Sequence, residues 1–76
     1  MNKVFPHTET PKESNDLHRK KYMISDNVVA YFGNGIIKVL KYSFAEERWA
    51  YDNEGFIQEP ERFPFNWMYK PIEFNG

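Results

Sequence analysis

Hydrophobic positions are sparse up to about residue 27 and dense afterwards, and the two halves follow different periods. In "TPKESNDLHRKKY", Leu17 stands almost alone among polar residues, so the signals there are capping signals. Thr10 suits an N-cap, Pro11 suits the first helical position, and Glu13 follows Thr10 at capping-box spacing. Together they predict a short helix over 11–21 with Leu17 as its apolar anchor. Glu13 and Asp16 complement the positive end of its dipole. His18, Arg19, Lys20 and Lys21 complement the negative end, and Asp16 pairs with Lys20 at i,i+4. Residues 1–9, with Pro6 and little periodicity, read as an extended arm that is ordered only if it docks.

From Val28 the texture becomes "VVAYFGNGIIKVLKYSF", rich in β-branched and aromatic residues and broken once, at Gly33, Asn34 and Gly35. Asn-Gly readily adopts the positive φ angles of a primed turn, which predicts an antiparallel hairpin of strands 28–32 and 36–44. "AEER" links to a strand over 48–51, and "DNEG" separates that strand from another over 56–58. "EPERFP" is a proline-containing connection, and a last strand over 66–70 ends at Pro71.

The fold class expected is therefore mainly β (α+β): an antiparallel meander of four to five strands with one short N-terminal helix. Both faces of such a sheet cannot stay wet, so it curls, as a small SH3-like barrel or a curled sheet, packs on the helix, or dimerises. Residues 10–76 form a single small domain behind the arm.

Composition changes this picture in three places. At 76 residues, folding buries only about 60% of the surface that the unfolded chain exposes. With no cysteine, neither disulfides nor thiolate metal sites staple the fold. Aromatic residues make up 18% of the chain against 41% hydrophobic overall, so Phe, Tyr and Trp carry the core. Trp67 is assigned to that core, with Tyr69 following it inward on the strand period of two and Met68 and Lys70 pointing away. Tyr31, Tyr42, Tyr51 and Tyr69 are too many to bury together, which leaves aromatic surface for a partner or a second copy.

The order of "VVAYF", a glycine-rich turn, Trp49, the acidic "DNEG" turn and "WMYKP" resembles a family of short uncharacterised phage and prophage proteins that end in Trp-Met-Pro-Leu-Pro. Trp49, Gly55, Trp67, Met68 and Pro71 stand in matching places; Asn66 replaces a frequent His, and Tyr69 and Lys70 replace Pro-Leu. The resemblance implies a mobile-element origin and a compact β domain. It implies no active site.

Candidate chemistry is thin. Ser14, Asp16 and His18 are the residue types of a hydrolase triad, but positions two apart on a helix point to different sides and cannot converge. His7 and His18 match no metal-ligand spacing, and Asp52, Asn53 and Glu54 are too few for a calcium loop and read as a hairpin turn. No cofactor is expected, and no enzymatic activity. The candidate ligand-binding residues are Arg19, Lys20, Lys21 and Tyr22, where cations that hold phosphate adjoin a ring on which a base can stack. Cations at a helix C-terminus are equally expected from the dipole alone.

A net charge of −1 provides no global field for long nucleic acid or an anionic membrane, though it permits a local site for a small anion. No apolar run suggests a signal peptide or a membrane span, so the expected location is cytoplasmic, in the host cytoplasm if the chain is phage-encoded. The expected function is a non-enzymatic accessory protein that acts by binding. It would be a homo-oligomer that sequesters a small anionic nucleotide of host defence or blocks a host protein. The alternative is an assembly protein that self-associates through exposed aromatics.

Overall fold

The computed structural model describes residues 3–52 and 55–70. Its elements are β1 (Phe5–Pro6), α1 (Leu17–Lys21), β2 (Val28–Gly33), β3 (Ile36–Ser43), β4 (Arg48–Tyr51), β5 (Gly55–Phe56) and β6 (Asn66–Tyr69). All six strands join one antiparallel sheet in the order β1-β6-β2-β3-β4-β5. The mainly β expectation is met, with the sheet open at β1 and β5 rather than closed into a barrel. Only β2 to β5 form a meander. The proline-containing connection carries β6 back past the whole meander to lie between β1 and β2, with Trp67 opposite both Phe5 and Ala30.

The central hairpin turns where its sequence predicts. Asn34 and Gly35 both have positive φ, 54° and 78°, which matches the right-handed twist of the flanking strands. The last strand pairs through Tyr69, and the turn residues Asn53 and Glu54, like Pro71, lie outside the described residues.

Cross-strand partners share a face of the sheet, so the register assigns the core directly. Val28 opposes Leu40 and Tyr69, Ala30 opposes Lys38 and Trp67, and Tyr42 opposes Trp49. This inner face is covered by Ile57 and Phe65 from the segments flanking the β5 to β6 connection, and the resulting cluster of Val28, Ala30, Leu40, Trp49, Ile57, Phe65 and Trp67 is buried. Trp49 and Trp67 are 4% and 2% exposed, as their assignment to the core requires. Tyr69 follows Trp67 only part of the way. Its ring meets Trp67 edge-on at 5.1 Å, while its hydroxyl reaches the rim and accepts the Lys12 backbone N–H at 3.0 Å.

The helix is shorter than its capping signals predict. Thr10, Pro11 and Glu13 do not start it; Asp16 does, its carboxylate accepting the Arg19 backbone N–H. Ser14 explains the delay. Its buried hydroxyl accepts the backbone N–H of Asp16, a local bond that competes with helix formation, and donates to Asp26 across the chain. Leu17 is no anchor either, being 81% exposed. Arg19 takes that role, donating from Nη1 to the Ser25 carbonyl at 2.9 Å and to Asn27 Oδ1 at 3.2 Å.

The arm docks. Phe5 stacks on Trp67 with ring centroids 4.6 Å apart, and the Trp67 indole N–H donates to the carbonyls of Pro6 and Glu9 at 3.1 and 2.9 Å. Trp49 donates in the same way to the His7 carbonyl at 3.3 Å. Each buried indole thus finds its partner in the arm.

Burial first, and the nearby Glu47 carboxylate second, raise the Tyr42 phenol above its ordinary 10.0. The folded chain therefore holds this proton more tightly than the unfolded chain does. Stability from this source is complete below about pH 10 and is lost as pH rises through the folded value. Urea denaturation between pH 8 and pH 11 is expected to show a falling midpoint above pH 10, and Tyr42→Phe is expected to flatten that fall.

Candidate functional site

The basic segment foreseen from sequence does not converge. Arg19 is directed inward to Ser25 and Asn27. Lys20 borders a shallow recess with Glu13, Met23 and Phe44. Lys21 lies 6.0 Å from the Tyr22 ring centroid, and His18 meets the same ring edge-on at 4.9 Å. Lys20, Lys21 and Tyr22 are exposed. Arg19 therefore ties α1 to the segment preceding β2, while the two lysines complement the C-terminal end of a single-turn helix.

Ser14, Asp16 and His18 are likewise dispersed: Ser14 bonds to Asp26, Asp16 caps α1, and His18 packs on Tyr22. Among the described residues no three His, Asp or Glu side chains are grouped to hold a metal ion. No helix among them is long and apolar enough to cross a membrane.

A larger concavity opens elsewhere, at the hairpin end of the inner face, with a volume of about 660 Å³. It exists because β3 outruns its cover. Along the inner face of β3, Leu40 is buried, Lys38 is exposed, and Ile36 is 49% exposed. Residues 57–65 cover Leu40 but leave Ile36 and Lys38 as an open floor. Phe32, Tyr51 and Phe56 contribute from the ends of β2, β4 and β5, and Phe63 from the connection to β6.

The wall formed by that connection is fixed by a turn. Glu59 adopts a φ of 54°, and its carbonyl accepts the backbone N–H groups of Arg62 and Phe63 at 3.0 and 3.2 Å. Both side chains are thereby delivered to the cleft, where the Arg62 guanidinium lies 5.8 Å from the Phe63 ring centroid.

The rings of Phe32, Tyr51 and Phe63 line the cleft, with Asn34 and Gln58 also on its lining, whereas Phe56 pairs with Ala50 and turns its ring to the outer face, where the Arg48 guanidinium lies 4.3 Å from its centroid. Its charged lining, among the described residues, consists of Lys38 and Arg62, both cationic. Glu59 pairs with Arg62 at 3.2 Å, but the two side chains are 61% and 73% exposed, and water screens such a pair to about 0–1 kcal/mol. An incoming anion can replace it at little cost. Apolar walls with a few polar groups are the usual make-up of a ligand pocket, and the volume lies within the usual range.

The cleft carried one sequence signal that the reading by segments passes over. Lys38 occupies an inner-face position between Ile36 and Leu40 on the strand period, and a cation on the core side of a strand marks an opening in the core. The contribution of Arg62 and Phe63 has no such signal, since it depends on the return of the chain from β5 to β6. Compared with known proteins, the chain matches no family model, no curated protein sequence and no solved structure.

Proposed function

We propose that this chain is a non-catalytic binding module that holds a small organic ligand in the cleft bounded by Phe32, Lys38, Tyr51, Arg62 and Phe63. The observation that carries the reading is the union of a sizeable aromatic-walled cavity with cations on its lining. Small size and a net charge of −1 suit capture of a compact molecule better than tracking of a long polyanion. The phage-type accessory role, in which capture itself is the activity, rests on sequence resemblance and goes with this reading.

A second reading is supported by the outer face of the sheet. Tyr31 and Ile37 oppose each other there and are 50% and 54% exposed, beside the paired Val29 and Val39. In that reading the chain self-associates through this face.

Native mass spectrometry separates the two. Protein incubated with an extract of small metabolites and then desalted is expected to retain adducts at one per chain, and Phe63→Ala is expected to lose them. Assemblies without adducts, abolished by Ile37→Glu and unaffected by Phe63→Ala, would put the second reading ahead.

A further inference from the structure

The geometry points to a nucleotide as the ligand class of the cleft, an inference that rests on the cleft being the ligand seat. Three features of the lining select it. Lys38 and Arg62 come from different elements, β3 and the connection to β6, and are the charged groups among the described lining residues. Cations brought from two sides favour a ligand whose negative charge is spread over several oxygens, as a phosphate's is, and the guanidinium adds a planar fork that matches phosphate oxygens.

The second feature is the density of rings. Phe32, Tyr51 and Phe63 offer rings to a flat ligand body, and aromatic side chains are the platforms on which bases stack irrespective of their identity. The third is the pair of side-chain amides. Asn34 and Gln58 each offer a donor and an acceptor, the pairing that base edges present, whereas an acyl chain would leave both amides unmatched. With two cations in the described lining, the site suits one or two phosphates and not a strand of nucleic acid.

Glu59 supplies a signature that a purely structural role for Arg62 lacks. Its carboxylate competes with the phosphate for the guanidinium. Removing that charge should favour the phosphate while leaving a neutral nucleoside indifferent.

Calorimetry at low salt with adenosine 5′-monophosphate, adenosine and inorganic phosphate tests the inference, alongside the monophosphates of guanosine, cytidine and uridine. At least one monophosphate is expected to bind at one per chain, with its nucleoside and free phosphate each weaker by about tenfold or more. A Lys38→Gln, Arg62→Gln double variant is expected to lower the nucleotide to the level of its nucleoside. Glu59→Gln is expected to tighten the nucleotide several-fold and leave the nucleoside unchanged. The amide spectrum of each variant checks that it is folded.

Free phosphate bound as tightly as the nucleotide would overturn the inference in favour of a simple anion site. So would equal binding of nucleotide and nucleoside. If all four monophosphates fail while other small molecules perturb the amides of the cleft, the nucleotide assignment falls and the ligand seat stands. If nothing perturbs those amides, both fall.

Discussion

Trp67→Ala is expected to lower the stability of the chain by about 3–5 kcal/mol, the usual cost of truncating a buried tryptophan. The whole domain holds on the order of 4–11 kcal/mol at its length, so this one substitution removes a large share. Trp67 is 2% exposed and belongs to the buried cluster on the inner face. Its ring stacks on Phe5 at 4.6 Å, lies 5.7 Å from Trp49, and faces the edge of Tyr69. Its indole N–H is shared between two arm carbonyls. No neighbouring element can collapse into the space without breaking the β6 register on both sides. Urea denaturation followed by the fluorescence of Trp49 checks this. A midpoint equivalent to less than about 1 kcal/mol of loss would contradict the assignment of Trp67 as the centre of the core.

Removing residues 3–9 is expected to cost about 2–4 kcal/mol, although the arm holds only two residues of strand. The arm supplies the carbonyls that satisfy both buried indoles, and Phe5 covers the face of Trp67. Water reaches the indole N–H groups once the arm is gone and keeps their penalty at the low end of its range, so the loss comes mainly from newly exposed ring surface. A red shift of tryptophan emission should accompany the destabilisation. Phe5→Ala, which keeps the carbonyls, is expected to give about 1–2 kcal/mol without the full shift. An unchanged midpoint and emission after deletion would mean that the arm does not cover Trp67 in solution.

The strands were legible because local chemistry and global pattern agree there. Asn34 and Gly35 encode their turn, and the β-branched residues around them alternate across a sheet whose register buries Val28, Ala30 and Leu40. The helix was legible only at its basic end. Thr10, Pro11 and Glu13 carry a start signal, yet the Ser14 hydroxyl bonds across to Asp26, twelve residues on, and that long-range bond outweighs the local preference. The inward bonds of Arg19 were hidden for a similar reason. Its sequence neighbours suggest a phosphate-holding or helix-terminal cation, whereas Ser25 and Asn27 draw it back against the chain.

The return of β6 to pair with β2 has no local encoding at all. Strand order depends on which partner completes the inner face, and Trp67 fits opposite Ala30, whose small side chain leaves room for the indole. That crossing sets the path of residues 57–65, and with it the wall of the cleft. The ligand seat thus arises where topology, and not any contiguous motif, places Arg62 and Phe63 above Lys38. The cations clustered along the chain are instead Lys20 and Lys21, which share a single helix turn, with Lys20 beside the recess at Phe44.

Amide chemical-shift mapping of the nitrogen-15-labelled protein, titrated with a library of small metabolites and nucleotides, tests the ligand seat most directly. The cleft account predicts saturable shifts centred on Phe32, Asn34, Ile36, Lys38, Tyr51 and residues 56–63, lost in Phe63→Ala. Shifts centred on Lys20, Lys21 and Tyr22, or on Tyr31 and Ile37 of the outer face, would contradict it.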